Sequence, residues 1–275
     1  MSATTSTTLD MREYFDGIGA VLAGPSNVIM QLSWPEVGYG VLESPVESGR
    51  VTEHPFKRAR TTLTYLAVAL LGTDEDRAVY RKAVNTAHAQ VRSTPESPVA
   101  YNAFDPELQL WVAACLYYGM RDVITAMHGP LDDAIEDALY QESARLGTSL
   151  QVPQELWPED RAAFAAYWEK SLARVDIDEA VGAYLRGLLD SRQFPWFVRL
   201  PTWRLIRFFN IGFLPPEFRA RLGLSWSRAQ ERRFRRILRL TGAVYARLPL
   251  PIRNLPFNLY LRDMRRRVAA GRRLV

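Results

Sequence analysis

Again and again this chain sets a short acidic or hydroxyl residue directly ahead of a run whose apolar residues recur at three- and four-residue spacing. Thr73 precedes Asp74-Glu75-Asp76, and Asp105 precedes Pro106 and Glu107. Asp132-Asp133, Glu159-Asp160, Asp176 to Glu179 and Ser225 to Ser227 repeat the arrangement. A cap oxygen accepts from an amide that the first turn leaves unpaired, acids there meet the positive end of the helix dipole, and a first-turn proline lacks only an amide that would have no partner. No convincing strand-length alternation and no fixed-period repeat accompany these signals. The predicted fold is therefore all-α, a single multi-helix bundle, globin-like in style, of about nine or ten helices.

The chain's 275 residues, 48% hydrophobic, suit one large domain or two small ones. A single domain of this size buries about three quarters of its unfolded surface, enough to enclose a cofactor. One cysteine, Cys115, excludes an intramolecular disulfide; without nearby cations to lower its pKa, it is expected to be a buried small hydrophobe and not a thiolate ligand. Met1 to Leu9 has neither a basic start nor an apolar core, so no signal peptide is expected and cytoplasm is the default location. The longest uncharged run, Gly17 to Pro35, is interrupted by Gly24-Pro25-Ser26-Asn27, and the runs Thr61 to Thr73 and Pro106 to Met120 are too short to span a bilayer.

Charge is distributed unevenly. Residues 1–180 hold 14 Lys and Arg against 26 acids, whereas residues 181–275 hold 21 Arg, no Lys and 4 acids. The arginine clusters Arg228 to Arg239 and Arg262 to Arg273 are expected to be solvated faces and docking contacts for the acidic half, with an anionic membrane or nucleic acid as the alternatives. Prolines at 195, 201, 215, 216, 249, 251 and 256 are expected to end or bend elements. Two stretches, Phe194 to Val198 and Arg204 to Phe209, set aromatics beside arginines. Core packing is the expected reading there, and an amphipathic surface resting at a membrane or receiving an apolar substrate is the alternative.

Familiar chemistries are absent from the sequence. It contains no Glu-x-x-His, no His-x-x-x-His, no Cys-x-x-Cys, no Gly-x-Ser-x-Gly and no phosphate-binding loop. Gly17-Ile18-Gly19 lacks the third glycine of a dinucleotide fingerprint and follows no predicted strand. Three histidines remain. His54 precedes a proline and is expected on a loop, and His128 ends its helix before Gly129-Pro130, where a cation suits the dipole. His88 continues the apolar stripe of Tyr80 and Val84, with Val91 three residues on, so its ring should point inward. An inward imidazole is either satisfied within the core or bound to a ligand, because an unpaired one costs on the order of 1–3 kcal/mol. Haem iron would suit it. Lys57, Arg58 and Arg60, just ahead of an apolar helix expected from Thr62 to Leu71, could then meet the propionates, with the Thr62 hydroxyl beside them; a solvated basic turn is the other reading.

In order and spacing these residues resemble the MpaB/rubber-oxygenase group of haem proteins, which includes the latex clearing proteins. The resemblance extends over roughly Asn27 to Trp226. It rests on Pro35 to Val41, on Pro55 to Leu66 continuing through Leu71-Gly72-Thr73, and on His88 with Val91. Tyr101 to Pro106 with Leu110-Trp111-Val112, Gly129-Pro130-Leu131, and Leu214-Pro215-Pro216 with Arg219, Gly223, Leu224 and Trp226 complete it.

The resemblance implies that the bundle encloses a b-type haem (heme b) with His88 as proximal iron ligand. Arg58 and Thr62 match the arginine and threonine of the family's Arg-x-x-Lys-Thr motif, and Thr61 stands where that motif has lysine. Trp34 and Ala113 likewise stand where family histidines are common. The implied function is a haem-dependent oxygenase or oxidoreductase acting with dioxygen on an apolar small molecule. Arg58, Thr61 and Thr62 are its catalytic candidates, and Arg58, Arg60 and Thr62 join His88 in holding the cofactor. A haem carrier or sensor without turnover, and a non-haem helical membrane-surface or binding protein, are the competing classes. The expected organisation is an N-terminal segment and first helix over 1–26, a catalytic domain over 27–226 and an Arg-rich helical extension over 227–275 packed on it. Peripheral membrane contact is expected through that extension, and nucleic acid is not expected as a partner.

Overall fold

The computed structural model describes residues 10–46, 55–193 and 195–275. Among them every named element is a helix. A lone bridge between Arg92 and Asn102 is the one extended pairing in the described residues.

The axis of the bundle is α5 (Pro106–His128). Asp105 caps it by accepting from the Glu107 amide at 2.8 Å, and Gly129, at φ 89°, ends it. Its 23 residues, about 34 Å of helix, carry apolar side chains around most of the circumference, so it is covered on several sides. α1 (Gly17–Gln31) and α12 (Arg228–Tyr245) pack along it. Close approach requires glycine at two of these crossings. A Cβ at Gly119 would collide with the Asn27 amide, and one at Gly242 would enter the backbone of Met127.

Two residues, Gly72 and Thr73, join α3 (Pro55–Leu71) to α4 (Asp74–His88). Thr73 and Asp76 form a reciprocal capping box, and the Tyr80 hydroxyl donates to the Thr61 carbonyl at 2.8 Å, pinning α4 to α3. α2 (Pro35–Leu42) lies against α9 (Glu179–Leu189). α6 (Asp133–Ser143), α7 (Arg145–Thr148) and α8 (Arg161–Leu172) follow α5, and α7 closes on both α3 and α5. α10 (Trp196–Phe213) runs past α1, α9 and α12. After the short α11 (Pro216–Arg221) and α13 (Leu250–Arg253), α14 (Leu255–Ala269) lies along α3.

Several expectations are revised. α1 continues through Pro25, and through residues 26 and 27, because burial of Ala23, Ser26, Asn27, Ile29 and Met30 outweighs one lost helix hydrogen bond. α3 starts at Pro55, not Thr62, so Lys57, Arg58 and Arg60 lie in its opening turns. Prolines 106, 216, 251 and 256 stand in first turns, where they cost nothing, while Pro201 lies inside α10. The aromatic stretches divide. Phe208 and Phe209 pack around Phe234, whereas Trp196, Phe197, Leu200 and Leu205 are 67%, 62%, 60% and 58% exposed.

C-terminal arginines do reach the acidic half. Arg253 bonds Asp16 at 2.6 Å, and Arg265 grips Asp76 with Nε at 3.1 Å and a second nitrogen at 2.6 Å. No described helix is long and apolar enough to cross a membrane.

Candidate functional site

Two cavities adjoin along α3. The first, about 240 Å³, is bounded by α2, α3, α4 and α5 and includes Thr61, Tyr80, Val84 and His88 in its wall. The second, about 310 Å³, lies on the side of α1, α5 and α10 and includes Asp16, Asn27, His128, Gln193 and Asn210. Arg58 and Thr62, with Gln31, Leu116 and Leu146, belong to both walls.

His88 is the last residue of α4, one turn beyond Val84 and two beyond Tyr80, both buried. The stripe expected from the sequence places its ring on the cavity wall, edge-on to Phe104 at 6.2 Å between centroids. Its Nδ1 is buried without a hydrogen-bond partner. Burial, reinforced by the positive charge of Arg58, pushes the imidazole pKa down to about 4, so the ring is neutral and a lone pair is free to bind a ligand.

Arg58 faces the same cavity. Its Nε is also buried without a partner, no carboxylate pairs with it among the described residues, and burial depresses its pKa. A guanidinium so placed requires an anion. The Thr61 hydroxyl donates back to the Arg58 carbonyl at 2.9 Å, leaving oxygen lone pairs toward its surroundings. Thus Arg58, Thr61, Thr62 and His88 share the first cavity, whereas Arg60 lines neither. Among the described residues no group of three or more His, Cys, Asp or Glu could hold a metal ion.

The other predicted positions have structural uses. Trp34 stacks on Trp111 at 4.8 Å and donates from Nε1 to the Ser171 carbonyl, and Ala113 is buried beside Gly147. Cys115 is fully buried, and burial raises its thiol pKa well above the ordinary value, as expected of a core residue. His54 lies outside the described residues.

Sequence reasoning missed the second cavity and its polar wall. His128 Nε2 and Asp16 Oδ2 lie 2.7 Å apart, and Arg253 donates to the other Asp16 oxygen. Burial pushes the Asp16 carboxyl upward, but hydrogen bonds from His128 and Arg253 outweigh it, and the net shift is down. Ser191, at φ 56°, turns the chain after α9 and brings Gln193 to this wall. Gln193 Oε1 and Asn210 Nδ2 are buried without partners. These groups converge from segments far apart in the chain, and no local motif marks them.

The family model for the ER-bound oxygenase mpaB/B' and rubber oxygenase catalytic domain matches residues 11–243. Uncharacterized proteins of Mycobacterium tuberculosis and Mycobacterium bovis are each 54% identical over 255 residues, covering 93% of this chain and all of theirs. No solved structure matches the chain. With the match running from the first described helical turn into α12, and so over both cavities, the chain belongs to the MpaB/rubber-oxygenase family of oxygenase catalytic domains.

Proposed function

We propose that this protein is a haem b-dependent oxygenase that uses dioxygen on an apolar small molecule, with His88 as the proximal iron ligand. The observation that carries the reading is the pair of unpartnered buried nitrogens, His88 Nδ1 and Arg58 Nε, on the wall of one apolar cavity. A neutral imidazole calls for a Lewis acid or a donor, and a desolvated guanidinium calls for an anion. One haem meets both demands. Because haem would bring nitrogen donors of its own to the iron, a single protein imidazole would suffice where no three-residue ligand set is found among the described residues.

When bound, haem supplies redox chemistry with dioxygen. The chain's own part follows from its residues. Arg58 pairs with a propionate, and Thr62 extends the polar strip along α3. Thr61 presents a hydroxyl already turned toward its own helix, so no amine from the motif position competes for the cavity. The apolar wall of Val37, Val41, Val84, Val91 and Val112 excludes water from the cavity that would hold the cofactor.

Purified protein reconstituted with haemin should show a Soret band that His88→Ala removes. An unchanged spectrum in both proteins would end the haem reading. Turnover of apolar alkenes or small aromatics under oxygen and reductant then separates an oxygenase from a carrier that holds haem without chemistry.

Peripheral membrane contact belongs to the same proposal, supported by the exposed Trp196, Phe197, Leu200 and Leu205 of α10 beside Arg204, and not by the arginine clusters alone. Aromatic and aliphatic side chains settle at the acyl boundary while arginine meets anionic headgroups. Phosphatidylserine-containing vesicles should retain the protein at low salt, and Trp196→Ser with Phe197→Ser should release it.

A further inference from the structure

We infer that the second cavity, across α3 from His88, is a chamber for an apolar molecule that ends in a hydroxyl group, and that this is the substrate class of the enzyme; the substrate role rests on the oxygenase reading above, the chamber itself does not. At about 310 Å³ it is the larger of the two cavities, and Phe15, Val28, Leu63, Leu66 and Leu188 make its wall chiefly apolar. Such a volume accepts a hydrocarbon chain or ring.

Two amide groups interrupt that wall without partners. Asn210 is 1% exposed, its backbone carbonyl is fixed by the Ser26 hydroxyl at 2.9 Å, and its Nδ2 donates to nothing. Gln193 Oε1 is buried and accepts from nothing. One needs an acceptor and the other a donor, and each group left unmet carries an unrepaid desolvation cost. A hydroxyl is the smallest group that both accepts and donates. A carboxylate only accepts, so it would oppose Gln193 Oε1 and face Asp16, and the unpaired cation of the same wall, Arg58, is taken by a propionate once haem is bound. An ether would likewise leave Gln193 unpaired. The charge of Asp16 is already answered by His128 and Arg253, so it makes no demand on the ligand. Arg58 and Thr62, with Gln31, Leu116 and Leu146, line both cavities, so this chamber adjoins the cavity of His88.

The test is calorimetric titration of the full chain, haem-loaded and haem-free, with 1-octanol, octanoate and heptyl methyl ether. 1-Octanol should bind about tenfold more tightly than the ether with or without haem, and than octanoate once haem occupies Arg58, as expected for one satisfied amide. Asn210→Leu and Gln193→Leu should each remove about tenfold of the octanol affinity while leaving the ether nearly unchanged. Gly24 lies on this wall, and a Cβ there would meet no atom within 4 Å, so Gly24→Phe should abolish binding of all three. Octanoate matching octanol on the haem-loaded unmodified chain, or the ether matching it on either form, would overturn the proposal without recourse to any variant, and so would octanol affinity that survives all three substitutions. The octanol ranking in a chain that takes no haem would leave the chamber standing and remove the oxygenase reading. Haem held through His88 with no octanol preference would remove the chamber alone.

Discussion

Arg58 on α3 helps to hold the imidazole of His88 on α4 neutral: burial contributes most to the depressed pKa, and the nearby guanidinium adds to it. Between the ordinary histidine pKa of 6.5 and the folded value of about 4, the unfolded chain binds a proton that the folded chain does not. Stability from this site is therefore complete above the ordinary value and falls as pH drops through that window, by up to about 1.4 kcal/mol per pH unit. Denaturant melts of the haem-free protein at pH 4.5 and 6.5 should show this loss, and His88→Ala should flatten it.

Arg58→Met should act in opposite directions on the two forms of the protein. It removes a buried charge for which the described residues offer no carboxylate, so the haem-free chain should melt at a higher temperature. It also removes the proposed propionate partner, so haemin should bind about tenfold more weakly, the worth of one charge-assisted hydrogen bond. Thermal melting and haemin titration on the same preparation test both halves.

Asp76 accepts from the Thr73 amide as part of the α4 cap and also receives Arg265 from α14. Asp76→Ala removes the cap and the ion pair together and should cost about 2 kcal/mol, whereas Arg265→Ala, on a half-exposed side chain, should cost about 1 kcal/mol or less. The hydrogen bond from Arg265 is the chief cause of the lowered Asp76 pKa. This contribution is thus present above the ordinary aspartate pKa and lost as pH falls through the lower folded value. A double-mutant cycle of urea melts isolates the pair.

Two helical glycines should respond with opposite signs to alanine. At Gly187 of α9 the added methyl group meets nothing closer than the Arg192 side chain at 3.9 Å, and the helix gains about 0.5–1 kcal/mol from reduced backbone freedom. At Gly242 it enters the main chain of Met127, which cannot rotate aside, and the strain should cost about 1–3 kcal/mol. Urea midpoints of the two variants measure the contrast.

The helix starts were legible in the sequence because capping is local: Thr73, Asp105, Asp160, Asp178 and Ser227 each accept from an amide two or three residues ahead. His88 was legible for the same reason, since Tyr80 and Val84 on one face fix where position 88 points. The passage of α1 through Pro25 was not, because tertiary burial decides it against local propensity. Nor was the bond from Arg253 to Asp16, 237 residues apart, or the wall that joins Gln193 to Asn210. The exposed apolar turns of α10 read as core from composition, and only the placement of neighbouring helices left them uncovered.

Because α3 gives both Arg58 and Thr62 to the walls of the two cavities, variation along it carries two consequences at once. A change at Arg58 or Thr62 made to suit a new guest on one side is also felt on the other. Variation in α9 or α10 reaches the larger room alone. A lineage diversifying its guests would therefore be free to rewrite those outer walls while α3 stayed fixed, and a directed-evolution library aimed at new substrates should spare α3 for the same reason.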